Sequence, residues 1–188
     1  MNLANKLTIS RIFLAGIFIW FLFIKGPGAK CMAFAIFLVA CITDYYDGYF
    51  ARKTGSITAF GKLMDPIADK ILILGAFLAF VEMEIIPAWM VMVIIARELV
   101  ITGIRILALS QKKVLSAEMG GKHKTVSQMV AVISVLIFLI IRDLEFGFRH
   151  IQVFEGSVYA LMLITVGMTL TSGVSYMLRN KEVFMGDQ

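Results

Sequence analysis

Residues 44–69 read DYYDGYFARKTGSITAFGKLMDPIAD, and the four aspartates in this stretch decide how the chain is to be read. Asp44 and Asp47 are three apart and Asp65 and Asp69 four apart. On helices, each spacing puts two carboxylates on one face, one turn apart. The flanking runs, Cys31–Thr43 before and Ile71–Val81 after, are apolar but fall short of the roughly 20 residues that span a hydrocarbon core. The aspartate segments make up the shortfall, so the second and third spans enter the membrane with carboxylates aboard. A short loop makes them antiparallel neighbours, and the two pairs then form the halves of one site. A charge within a span costs at least about 2.5–3.5 kcal/mol on insertion scales, and four like charges repel one another. Divalent Mg²⁺ or Mn²⁺ relieves both problems, because these hard cations take oxygen ligands and paired metals clamp the attacking and leaving oxygens of a phosphoryl displacement. The plainer reading pairs the aspartates with Arg52, Lys62 and Lys70, or makes Asp65 the cap of a helix beginning at Pro66. It accounts for single residues, not for two facing pairs.

The rest of the chain fits a bilayer. Its 188 residues are 60% hydrophobic and 16% charged, with mean hydropathy +0.87, outside the balance of an ordinary soluble domain. Apolar runs recur at Ile12–Ile24, Cys31–Thr43, Ile71–Val81, Ile86–Ile104, Val126–Ile141 and Val153–Leu178, and the expectation is an all-α, polytopic membrane protein with six spans. No linker divides it, so residues 1–188 form one domain. The first run lacks a small-x-small cleavage site before Gly26–Gly28 and reads as an uncleaved span.

Basic residues set the orientation. With the N-terminus inside, eleven of the 18 face the cytoplasm (Lys6, Arg11, Arg52, Lys53, Lys62, Lys112, Lys113, Lys122, Lys124, Arg179, Lys181) and four face outward (Lys25, Lys30, Arg142, Arg149). Lys70, Arg97 and Arg105 lie within spans and need another explanation. The net charge of +5 favours anionic lipid surfaces and phosphorylated substrates. Cys31 and Cys41, about 15 Å apart along one helix, are too distant for a disulfide and read as core residues.

Further segments bear on a ligand. Gly48, Ala51 and Gly61 let helix backbones approach each other or a flat group such as a nucleotide, although small residues are also ordinary at membrane helix contacts. Asn5–Arg11 is a short, cationic, amphipathic segment suited to the interface. Arg97 and Arg105 share an i, i+4, i+8 stripe through Ile101, so both guanidiniums can face one cavity. Glu98 is adjacent to Arg97 on the helix and need not be its partner. Gly120–Thr125 combines glycines, Lys122, Lys124 and a helix N-terminus, which favours an anion; it is not a P-loop, and His123 reads as a solvated loop histidine.

Taken together, Asp44-x2-Asp47-Gly48-x2-Ala51-Arg52-x8-Gly61-x3-Asp65-x3-Asp69 resembles the full signature of the CDP-alcohol phosphotransferase family, with no position departing from it. The resemblance implies that Asp44, Asp47, Asp65 and Asp69 hold two divalent metal ions, Mg²⁺ or Mn²⁺, which bind the CDP diphosphate. Asp69 would double as general base, and Gly48, Ala51, Arg52 and Gly61 would face the nucleotide. Arg97-Glu98, Arg105 and Gly121-Lys122-x-Lys124-Thr125 with Gln128-Met129 look like the branch of that family that uses glycerol phosphate, and Asn5–Arg11 is similar too. By that resemblance Thr8, Arg97, Arg105 and Lys122 would bind the phosphate of sn-glycerol 3-phosphate, with CDP-diacylglycerol as donor. A homodimer in the bacterial inner membrane, with the site on the cytoplasmic side, is also implied. Two alternatives stay open: a relative using serine, inositol phosphate or phosphatidylglycerol as acceptor, and a divalent-cation transporter, which would need no small residues at these spacings. No nucleic-acid partner is expected.

Overall fold

A computed structural model describes the backbone of residues 3–54, 59–110, 120–144 and 148–181, and the side chains of 10–43, 70–108, 125–144 and 153–181. Among the described residues the chain is all helical: α1 Leu3–Phe23, α2 Pro27–Thr54, α3 Ala59–Glu82, α4 Ala88–Ser110, α5 Gly120–Asp143 and α6 Phe148–Arg179. Turn chemistry sets several of these boundaries. Gly26 adopts φ +105°, a conformation that glycine enters without penalty, and Pro27 then opens α2 with its φ already set for a helix. Pro87 directly precedes α4. Asn5–Arg11 belongs to α1, which runs unbroken from Leu3.

Helices α1 and α5 each pack against both α2 and α3, and α6 packs on α4 and α5. The core between them is tight and aromatic. Phe18, Phe37, Phe77 and Phe80 are fully buried, with the Phe18 and Phe37 rings 5.6 Å apart between α1 and α2. At Gly75 a β-carbon would sit 3.0 Å from Ile19 Cδ1, so glycine lets α1 and α3 close together. The outer surface is apolar as well: Phe13, Trp20, Met92 and Leu178 stand exposed. Two stretches among the described residues, Thr125–Asp143 and Val153–Arg179, are long and apolar enough to cross a membrane, while Ser10–Phe23 and Pro27–Thr43 are apolar but shorter.

Helix α3 begins at Ala59, so Pro66 lies well inside it and the plainer reading of Asp65 as a cap fails. Two details differ from the sequence expectation. Helix α5 begins at Gly120, which makes Gly120–Thr125 its first turns and puts His123 on a helix instead of in a loop. Cys31 is exposed and only Cys41 packs against the core; both are free thiols, as their separation requires.

Candidate active site

The backbone carries the aspartates on the two halves that face one end of the bundle. Asp44 and Asp47 lie in the C-terminal half of α2, and Asp65 and Asp69 in the N-terminal half of α3. Both stretches are helical, so the three- and four-residue spacings do place each pair on one face. Four residues separate the helices. Such a connection reaches at most about 19 Å, far less than the roughly 36–42 Å length of either helix, so both aspartate-bearing halves share an end. The side chains of Thr8, Asp44, Asp47, Gly48, Ala51, Arg52, Gly61, Asp65, Asp69 and Lys122 lie outside the described residues. Among the described residues no three or more His, Cys, Asp or Glu gather as a metal site.

The described part of the site begins one residue after Asp69. Lys70 donates to the Thr102 hydroxyl on α4, and its Nζ is 3.7 Å from Glu98 Oε2 and 3.5 Å from the Glu98 carbonyl. Thr102 in turn donates to that carbonyl at 2.7 Å. The lysine left unexplained by sequence is thus tied to a carboxylate across α3 and α4. Arg97 reaches the same carboxylate, Nη1 to Glu98 Oε1 at 3.3 Å. Adjacent helical residues do not point the same way, but the long guanidinium arm bends around to meet its neighbour. Nη2 donates to Ser172 Oγ on α6 at 2.6 Å.

Close packing on α6 sets the course of that arm. A β-carbon at Gly173 would lie 2.9 Å from Arg97 Cγ, so the arginine lies flat against a helix surface that only glycine leaves open. One turn beyond Ser172, Tyr176 lies under Arg105, whose guanidinium carbon is 5.7 Å from the ring centroid. Both arginines of the predicted stripe therefore face the α6 seam, with Ile101 buried between them. Their surroundings differ. Arg97 is buried and paired, whereas Arg105 is exposed and rests on an aromatic face.

Register fixes their height. Lys70 meets Thr102 across antiparallel helices, so Arg105, about 4.5 Å further along α4, stands level with the turn that carries Asp65 and Asp69. Among the described residues the seam brings together three cations, Lys70, Arg97 and Arg105, and one carboxylate, Glu98. The Tyr176 hydroxyl is buried without a hydrogen bond among the described residues, as is Gln128 Nε2 on α5. Sequence reasoning missed the α6 contribution altogether. Ser172, Gly173 and Tyr176 sit in a long apolar run with no charge to mark them; their four-residue period opposite the Arg97–Arg105 stripe was the available signal.

Known proteins resemble the chain along most of its length. The chain is 36% identical to a CDP-diacylglycerol–glycerol-3-phosphate 3-phosphatidyltransferase of Bacillus subtilis (strain 168), covering 96% of both chains. It is 38% identical to a probable phosphatidylglycerophosphate synthase of Mycobacterium tuberculosis (strain CDC 1551 / Oshkosh), over 95% of this chain and 81% of the relative. A CDP-diacylglycerol–glycerol-3-phosphate 3-phosphatidyltransferase of Rickettsia felis (strain ATCC VR-1525 / URRWXCal2) is 34% identical over 97% of each chain. The CDP-alcohol phosphatidyltransferase family model matches residues 1–172, which takes in the aspartates, the α4 arginines and Ser172, and the chain belongs to that family.

Proposed function

We propose that the protein transfers the phosphatidyl group of CDP-diacylglycerol to sn-glycerol 3-phosphate, giving phosphatidylglycerophosphate and CMP. One observation carries the acceptor assignment: Arg105 stands exposed on the Tyr176 ring, at the level of the α3 turn that carries Asp65 and Asp69. A guanidinium held there by an aromatic face suits an anionic guest, and an acceptor that carries its own phosphate supplies one. Serine brings no phosphate to it.

The donor set suits a divalent metal, since four carboxylates on two helix faces offer oxygen ligands only. Asp44, Asp47, Asp65 and Asp69 would hold two such ions, Mg²⁺ or Mn²⁺, which supply charge neutralisation at the diphosphate. Asp69 draws the proton from the attacking glycerol hydroxyl. The freed oxygen attacks the phosphorus that bears the diacylglycerol, and the bond to the CMP oxygen breaks. Gly48, Ala51, Arg52 and Gly61 cradle the cytidine end, while Thr8, Arg97, Arg105 and Lys122 orient the acceptor phosphate. Positioning and charge do most of this chemistry.

The same reading makes all six helices membrane spans, with Asn5–Arg11 at the interface. The apolar outer surface supports it, because a helix that is apolar both toward its neighbours and outward belongs in lipid. The excess of basic residues on the aspartate side supports a cytoplasmic site, in a bacterial inner membrane, and the family resemblance supports a homodimer. The test is CMP release from CDP-diacylglycerol by the purified protein with sn-glycerol 3-phosphate, serine, inositol phosphate and phosphatidylglycerol as separate acceptors. Glycerol 3-phosphate should be used best, chelator should abolish release, and Mg²⁺ or Mn²⁺ should restore it better than Ca²⁺. Preference for another acceptor overturns the assignment. Movement of metal across liposomes without CDP-lipid would favour a transporter.

A further inference from the structure

The opposite end of the bundle holds a cavity that the proposed reaction does not use. Its volume is about 570 Å³, and it opens where α1 ends, α2 begins, and α3 and α5 end. Lys30 on α2 and Met83 just past the end of α3 line it, 14 residues from Asp44 and Asp69 respectively. At the usual rise that is about 21 Å, so the cavity lies near the other membrane face.

Two of its polar groups are committed to shape. The buried Lys30 ammonium donates to the carbonyls of Leu22 and Ile24, at 2.5 and 2.9 Å, where α1 leaves its C-terminal carbonyls unpaired. Asp143 Oδ2 accepts from the Gly26 N–H at 3.2 Å and ties the α1–α2 turn to α5. Two other groups are not committed. Lys25 is exposed with no partner among the described residues, and Arg142 makes only a long contact to Asp143, Nε to Oδ1 at 3.9 Å, and rests over Phe138. Among the described residues the lining thus carries three cations and one carboxylate whose Oδ2 is already engaged. Glu82 and Glu84 are close in sequence but do not line the cavity. Exposed Phe23 forms an apolar wall and continues toward Trp20, one turn down the outer surface of α1.

We infer that this cavity seats the headgroup of an anionic phospholipid from the leaflet opposite the aspartates. Its phosphodiester lies between Lys25 and Arg142, and its acyl chains run down past Phe23 and Trp20. A cationic opening continuous with a lipid-facing apolar wall fits an amphiphile better than a free ion. The inference rests on the membrane reading given above, but its readout is lipid occupancy, independent of catalysis.

The chain has two tryptophans, Trp20 and Trp89, so a Trp89→Phe variant leaves Trp20 as the sole reporter beside the cavity. In nanodiscs, phosphatidylglycerol with brominated acyl chains should quench Trp20 more effectively than brominated phosphatidylcholine at equal mole fraction. Attraction at a membrane surface predicts a preference of roughly fivefold for each basic residue engaged. Lys25→Gln with Arg142→Gln should abolish the preference, and Lys25→Gln alone, at an exposed site with nothing to unfold, should reduce it. Arg105→Ala should leave it intact, which separates this site from the acceptor pocket, and CMP release should be unchanged in the cavity variants. Equal quenching by the two lipids, or a preference that survives the double substitution, overturns the proposal. Erasure of the preference by millimolar inorganic phosphate overturns the lipid assignment in favour of a free-phosphate site.

Discussion

Two polar clusters interrupt the apolar bundle, and they are built differently. At the aspartate end, Lys70, Arg97 and Glu98 meet side chain to side chain across α3 and α4, with Ser172 reaching in from α6. At the other end, Lys30 and Asp143 bind mostly backbone, the carbonyls of α1 and the N–H of Gly26. Backbone partners hold a turn in shape and commit Lys30 itself to the fold, leaving any ligand to Lys25 and Arg142 beside it. Side-chain partners hold helices at a chosen height and set cationic groups beside the turn that carries the aspartates. Substitution in the first cluster should therefore disturb catalysis, whereas substitution of Lys30 should disturb stability alone.

Asp69→Asn sets the upper scale, since it removes the proposed base one residue from the first cluster. Turnover should fall by about 10²–10⁴-fold while CDP-lipid binding falls less, measured by CMP release and by ligand binding in detergent. Near-normal synthesis would sink the role of Asp69.

Glu98→Ala deprives Lys70 and Arg97 of the carboxylate they share. Breaking a buried ion pair costs about 3–5 kcal/mol, so thermal unfolding of the solubilised protein should move sharply downward. Unchanged stability would mean the seam is held by packing instead.

Arg105→Ala should do the reverse. Arg105 is exposed and stacked on a ring, with no ion pair among the described residues, so folding should survive while KM for sn-glycerol 3-phosphate rises roughly ten- to a hundredfold, the equivalent of about 1.5–3 kcal/mol. Arg105→Lys should also be impaired, because an ammonium cannot grip phosphate bidentately. Equal losses for donor and acceptor would remove the acceptor pocket from this seam.

Lys30→Met sharpens the contrast at the other end. It forfeits two hydrogen bonds to a charged donor, so stability should fall by about 1.5–3 kcal/mol, with KM for both substrates within about twofold of the parent. A large KM effect here would erase the distinction between the clusters.

The smallest effect separates ring from hydroxyl at Tyr176. Tyr176→Leu removes a cation–π contact of about 0.5–2 kcal/mol and should raise acceptor KM roughly two- to thirtyfold. Tyr176→Phe keeps the ring and should change little, since the hydroxyl has no hydrogen-bond partner among the described residues. If Phe is as impaired as Leu, the hydroxyl meets a ligand.

Much of this was legible in the chain. Helical periodicity and polarity are local properties, so residues 44–69 announce two carboxylate pairs on helices, and the apolar runs announce an all-α bundle. The family follows from the spacing of charged and small residues, because bringing four carboxylates to one end needs only two helices and a short connection. Boundaries are less legible: a proline can open a helix, yet α3 runs through Pro66, and paired glycines suggest a loop around His123, yet α5 begins at Gly120. What only the tertiary structure decided is which distant side chains share a height and a face. Lys70 finds Glu98 and Thr102, Arg97 lies against Gly173, and Arg105 stacks on Tyr176 because α3, α4 and α6 pack in one register. No local pattern encodes that register; it comes from the fit of glycines and side-chain ridges between helices far apart in the chain.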